Sequence, residues 1–321
     1  MKGKYIIEVM TTKIKYKLEI KRNITIIRGN SGTGKTKLIS MIRDYNVDKA
    51  SSGVTINCDR ECIVVDGYNW ENRIREKKDS IIFIDEGNSF IKSGEFANTV
   101  KESSNYFVII TREKLSSLPY SINEIYGLRE SKRYGSISQI YNEAYNLYSS
   151  FISKDSIKPS MIITEDSNSG NDFFSKTCNS NIKCISAKGK SKVYKSIVAN
   201  PNERELLVIV DGAAFGCEME AVIQCMKEYK NGKVYLYTPE SFEWLILKSG
   251  IIPVSQNKLK DTYNYIESKD YFSWENYFCS LLKETTADTK YKYAKKKLNP
   301  IYVKEENARK ILNIMKKIDI K

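Results

Sequence analysis

The sequence predicts an α/β fold in two successive domains with a helical tail. Three observations lead there. Short apolar runs at 24–27, 80–85 and 106–111 alternate with helical stretches, the pattern of a largely parallel sheet with helices on its faces. A second alternation of the same kind starts just after Lys158-Pro159. A length of 321 residues, 41% of them hydrophobic and including 22 Tyr and 11 Phe, suffices for two cores. The expected limits are 1–158 for the first domain, 159–260 for the second and 261–321 for a Lys-rich C-terminal region.

In the first domain, residues 4–10 and 13–20 alternate with period 2 around Thr11-Thr12, which predicts an antiparallel hairpin. A short buried strand, Ile24–Ile27, runs into Gly29. A helix is expected over Lys35–Tyr45, strands near Val54–Asn57 and Cys62–Val65, and a helix around Trp70–Lys77. Ser80–Asp85 reads as a strand, Glu95–Ser103 as a helix and Tyr106–Thr111 as a strand. Residues 134–158, rich in Tyr and Ser, read as a helix and connector.

The second domain predicts strands at Met161–Thr164, Lys183–Ser186, Leu206–Val210 and Lys233–Tyr237. Helices are expected at Asn171–Thr177, Glu218–Tyr229 and Ser241–Lys248. The tail from about 272 is helical, Lys-rich and aromatic.

Composition narrows the chemistry. There is no histidine, so His general bases, His metal ligands and Ser-His-Asp triads are excluded. Lys and Arg exceed Asp and Glu by 52 − 39 = 13, which favours an acidic partner, nucleic acid first among them. The other reading of that excess is a Lys-rich surface. No apolar run reaches the ~18 residues of a membrane span, and the start of the chain lacks a secretory apolar segment. Seven scattered cysteines read as reduced thiols in a cytoplasmic protein. Cys58 and Cys62 lack a second ligand pair nearby and read as buried thiols rather than a zinc site.

The sharpest motif is Gly29-Asn30-Ser31-Gly32-Thr33-Gly34-Lys35-Thr36, a full match to G-x-x-x-x-G-K-S/T between a predicted strand and a predicted helix. Glycines let backbone N–H groups curl around an anion, and the helix N-terminus adds its positive end. Lys35 is expected to reach the β- and γ-phosphates of a nucleotide, and Thr36 to offer its hydroxyl to Mg²⁺. Ser80–Asp85 followed by Glu86 is an apolar strand ending in acid, the Walker B pattern. Asp85 is the expected Mg²⁺ holder and Glu86 the group that polarises an attacking water. The strand ending in Thr111-Arg112 offers Thr111 as a γ-phosphate sensor. Arg112 is expected either on phosphate or against a neighbouring subunit.

Taken together, residues 1–130 resemble the additional-strand class of P-loop ATPases, the group with a catalytic Glu. That resemblance implies ATP as ligand, Mg²⁺ as cofactor and ATP hydrolysis as activity. The N-terminal hairpin is also similar to the start of ABC-type heads, but no L-S-G-G-Q-like segment precedes Asp85. No N-K-x-D guanine motif is present.

In the second domain, acidic residues follow successive strands: Glu165-Asp166, Asp211 and Glu240. Carboxylates at the C-terminal ends of parallel strands converge at one edge of a sheet, where oxygen ligands hold Mg²⁺. The pattern resembles a Toprim domain, with Glu165 and Asp211 as metal ligands and Gly216 as the glycine of its D-x-D-x-x-G motif. Ala213 stands where the second Asp belongs; Glu218, Glu220 and Glu240 are the nearest replacements. An ATPase head followed by a Toprim-like domain is similar in domain order to the overcoming-lysogenization-defect (OLD) nucleases, which implies DNA as substrate and defence against phage or mobile elements as context. Lys188–Lys195, and Lys290–Lys297 with Tyr291 and Tyr293, offer basic or basic–aromatic contacts for a nucleic-acid backbone. The alternative is a nucleotide-gated sensor or assembly module, a homo-oligomer or bound to a partner protein, whose second domain lacks catalysis.

Overall fold

The structure, a computed structural model, describes residues 1–29, 32–131, 139–149 and 156–321. It divides into two compact units, Met1–Tyr148 with Thr262–Phe272, and Ser149–Asp261 with Ser273–Lys321. Both are α/β. No helix among the described residues is long and apolar enough to cross a membrane.

The first unit is built on a nine-stranded, mostly parallel sheet. Its strands are β1 (Tyr5–Met10), β2 (Ile14–Ile20), β3 (Ile24–Ile27), β4 (Thr55–Asn57), β5 (Cys62–Val64), β6 (Ile81–Ile84), β7 (Tyr106–Ile110), β8 (Ile125–Glu130) and β9 (Ile140–Asn146). The spatial order is β4-β1-β2-β9-β8-β3-β7-β6-β5. The expected hairpin is present: β1 and β2 pair antiparallel, and the Thr11 hydroxyl closes the turn by accepting from the Lys13 and Ile14 amides at 3.2 and 3.3 Å. Among the described residues, three α-helices accompany the sheet, α1 (Lys35–Asp48), α2 (Trp70–Glu76) and α3 (Gly94–Glu102).

The connection between the two edge strands fixes the curvature of this sheet. Laid flat, nine strands would hold β4 and β5 about 38 Å apart at ~4.8 Å per strand. Only residues 58–61 join them, and five residue steps span at most about 18 Å. The sheet therefore curls, and α1 lies in the curl, touching β1, β4 and β5. Leu38, Ile39, Met41 and Ile42 of α1 share one core with Ile7, Val9, Tyr16, Val64, Phe83 and Val108 of the strands.

Residues 140–146 correct the expectation of a helix within 134–158. They form β9, parallel to β2 and antiparallel to β8. The physical reason lies across the strands. Gly127 faces Tyr145, and a Cβ at Gly127 would fall 2.6 Å from the Tyr145 ring, so the missing side chain makes room for the ring. Arg129 lies over the same ring at 5.0 Å and pairs with Glu143 at 2.9 Å. Cross-strand partners thus override the local helical reading. Of the rest of that expected helix and connector, 134–138 and 150–155 lie outside the described residues.

The second unit carries a four-stranded, fully parallel sheet in the order β11-β10-β12-β13. These are β10 (Met161–Thr164), β11 (Lys183–Ser186), β12 (Glu205–Ile209) and β13 (Lys233–Tyr237). Each lies where the apolar runs predict it. Its helices are α4 (Ser169–Thr177), α5 (Val193–Val198), α6 (Met219–Glu228), α7 (Phe242–Lys248), α8 (Gln256–Lys260), α9 (Trp274–Thr286) and α10 (Glu305–Leu312). β10 is buried along its length and β12 from Leu206 onward, as expected of a parallel sheet covered on both faces.

Candidate functional site

β3, β7 and β6 are neighbours and run parallel, so the segments leaving their C-terminal ends share one edge of the sheet. Those segments are the glycine loop at 29–36, Thr111-Arg112 and Asp85-Glu86. Asn30 and Ser31 lie outside the described residues. Gly34 has φ 83° and sits against the Tyr16 side chain of β2, so close that a Cβ would fall 2.6 Å from the Tyr16 hydroxyl. That hydroxyl donates to the Gly34 carbonyl at 2.9 Å, and the same carbonyl accepts the Leu38 amide at 3.0 Å as α1 begins. Tyr16 is fully buried, and burial pushes its phenol up to about 12, so it stays a donor at neutral pH.

Lys35 folds back into the loop. Its ammonium donates to the Gly29 carbonyl at 2.9 Å and to the Thr33 hydroxyl at 3.0 Å. Burial lowers its pKa, Arg112 lowers it further and Glu86 opposes both, so the three charges act on one another at this edge. Glu86 is in an ion pair with Arg112, Oε1 to Nε 3.3 Å, and both side chains are about half exposed. Asp85 is partly buried; its Oδ1 accepts the Glu86 amide at 2.8 Å, and its carbonyl accepts the Asn88 side-chain amide at 3.0 Å. Thr36 is exposed on the first turn of α1. Thr111 is buried, and its hydroxyl accepts the Glu113 amide at 2.9 Å. Asp66, two residues beyond the end of β5, is held by Arg43 at 2.8 Å and Arg73 at 3.2 Å.

In the second unit, β10 and β12 are adjacent, which brings Glu165 and Asp211 together. Glu165 Oε2 accepts the Asp211 amide at 3.0 Å, and Asp211 Oδ1 accepts the Phe242 amide at 3.1 Å. Between them and β13 the backbone is tight: a Cβ on Gly212 would fall 2.9 Å from both the Thr238 and Pro239 carbonyls. Ala213 is buried, and its amide donates to the Glu240 carbonyl at 3.1 Å. Burial pushes the Glu165 carboxyl up to about 7, aided by Glu275 and Asp166 and opposed by the Asp211 amide and Lys190. Asp211 is raised well above the carboxylate range, by burial and then by Glu275, Glu165, Glu243 and Asp166.

Sequence reasoning missed Glu243, Glu275 and Lys295. Glu243 is buried and its Oε1 accepts the Tyr293 hydroxyl at 2.9 Å. Glu275 pairs with Lys295 at 2.5 Å. The only local signal for either acid is its place in the first turn of a helix, α7 and α9, where a carboxylate is favoured for helix reasons alone.

The basic–aromatic stretch at 290–297 also reads differently in three dimensions. Tyr293 is buried against Glu243 and Lys295 is engaged with Glu275, so neither is presented as a contact for a nucleic-acid backbone. In the other stretch, Lys190 donates to the Ala214 carbonyl at 3.5 Å, and 193–198 form α5. All seven cysteines are thiols rather than disulfides. Among the described residues, no group of three or more His, Cys, Asp or Glu side chains is arranged to hold a metal ion. No family model matches the chain, and no curated protein matches it.

Proposed function

We propose that the first unit is an ATPase of the P-loop, additional-strand type, acting with Mg²⁺ in a cytoplasmic setting. The observation that carries this reading is the strand order. β7 lies between β3 and β6, so the glycine loop, Asp85-Glu86 and Thr111-Arg112 meet at one edge. The donor set fits a polyphosphate with a divalent cation: an ammonium seated in a glycine loop, a helix N-terminus, an exposed hydroxyl and a carboxylate on the next strand but one.

Thr36 and Asp85 are the residues that would hold Mg²⁺, which supplies charge neutralisation on the phosphates. Lys35 exchanges its contacts with Gly29 and Thr33 for phosphate oxygens. Glu86 orients and deprotonates the attacking water, which requires that it leave Arg112. Arg112 is the candidate contact to the terminal phosphate from this edge. Tyr16 holds the Gly34 peptide and so fixes where α1 begins.

Phosphate release by the wild-type chain and by Lys35→Ala tests the reading. The variant is expected to lose turnover. Turnover that persists in Lys35→Ala would put the site elsewhere.

For the second unit the reading is a Toprim-like domain that works on DNA under control of the first, in defence against phage or mobile elements. The net charge of +13 supports an acidic partner. One observation favours a second reading, in which that unit binds a partner without chemistry: Ala213 is buried where a metal-binding Asp would stand. Plasmid cleavage with Mg²⁺ or Mn²⁺, compared between wild type and Glu165→Ala/Asp211→Ala, separates the two.

A further inference from the structure

The carboxyl groups at the edge of the second sheet form one electrostatic group. Glu165, Asp166, Asp211, Glu243 and Glu275 act on one another across β10, β12, α7 and α9. A divalent cation is the usual way to hold such a set together. Here the chain brings its own. Lys295 bonds Glu275 directly at 2.5 Å. Its charge also acts on Asp166, Glu243 and Asp211, and the surrounding carboxylates hold it protonated despite its burial.

Lys295 is fixed in place from the backbone. The buried Ser169 hydroxyl donates to the Ala294 carbonyl at 2.8 Å and to the Lys295 carbonyl at 2.9 Å, and the Ser169 amide donates to the same Lys295 carbonyl at 3.1 Å. Ser169 begins α4, just after the Glu165-Asp166 turn, so the segment carrying Lys295 is bolted beside the carboxylates. Two residues back, Tyr293 donates to Glu243. The carboxylate oxygens accept from the chain itself: Glu165 from the Asp211 amide, Asp211 from the Phe242 amide, Glu243 from Tyr293 and Glu275 from Lys295. A metal at this edge would compete with these donors for the same carboxyl groups and would sit against an ammonium group. With the Lys295 ammonium in place, the donor set does not fit a divalent ion.

We infer that Lys295 is the resident cation of this edge, a tethered ammonium standing where a Toprim-like site would carry its metal, and that the second unit is held together without a divalent ion. This deepens the second reading above, in which the unit binds without cleaving.

Nucleotide-free protein in an Asp85→Asn background, so that the first unit does not report, is titrated with Mn²⁺ by calorimetry and by thermal melting. Without other changes, Mn²⁺ is expected to give no saturable binding and no rise in Tm, the same as when Glu165→Gln/Asp211→Asn is added. Adding Lys295→Met instead is expected to lower Tm by roughly 5 °C, with Mn²⁺ restoring most of the loss. Saturable Mn²⁺ binding that disappears with Glu165→Gln/Asp211→Asn would overturn the inference, as would Lys295→Met with an unchanged Tm. If Lys295→Met does not fold, the first comparison decides alone. Plasmid cleavage is scored separately: Mn²⁺ binding without cleavage sinks Lys295 as resident cation but spares the binding-only reading, whereas cleavage without Mn²⁺ binding sinks that reading.

Discussion

The Tyr16 hydroxyl and the Gly34 carbonyl are 2.9 Å apart, and this one bond ties the N-terminal hairpin to the start of α1. The contact has no slack. A methyl group at Gly34 would meet the hydroxyl at 2.6 Å, and the φ of 83° disfavours any side chain there. Gly34→Ala is therefore expected to destabilise the chain by about 1–3 kcal/mol. Tyr16→Phe removes a single hydrogen bond and costs about 1 kcal/mol. The double variant is expected to lose less than the sum, because the Phe ring lacks the oxygen that the new methyl strikes. Urea unfolding of the four proteins measures this coupling; strict additivity would mean that the loop moves away from Tyr16.

Glu86 and Arg112 give a prediction that separates binding from chemistry. Their ion pair is half-exposed and adds at most about 1 kcal/mol to stability. Glu86→Gln should therefore melt close to wild type and still be stabilised by ATP with Mg²⁺. A positioned base contributes about 10²–10⁴-fold, so its phosphate release should fall by at least ~100-fold. Wild-type turnover in Glu86→Gln would remove it from the reaction and leave Arg112 as its structural partner only.

What was legible in the sequence follows from the range of the forces involved. The glycine loop, Asp85-Glu86 and Thr111-Arg112 belong to continuous strand–loop segments, so local pattern located them, and parallel pairing brought them to one edge. β9 was not legible, because Tyr145 is explained by Gly127, eighteen positions earlier on another strand. Lys295 and Tyr293 looked like exposed members of a basic stretch, and only the fold reveals Glu275 and Glu243 opposite them. Glu243 and Glu275 carried a sufficient local explanation as first-turn helix acids, which hid their second role.

Glu165 supplies a prediction in pH. Its carboxyl is raised to about 7, chiefly by burial, so the folded chain keeps a proton there that the unfolded chain releases near the ordinary glutamate value of 4.5. A raised carboxyl contributes stability that is full below about pH 4.5 and is lost as pH climbs through about 7. Glu165→Gln removes the titration while keeping a side-chain oxygen to accept the Asp211 amide. The two proteins should therefore melt together near pH 4.5, and the variant should become the more stable as pH rises toward 8. The gap is of order 3 kcal/mol at most, since each tenfold difference in proton affinity between the folded and unfolded chains is worth about 1.4 kcal/mol. Melting curves across that range read it directly. A gap that is constant with pH would mean that Glu165 is ionised throughout, with Lys190 outweighing both burial and the carboxylates around it.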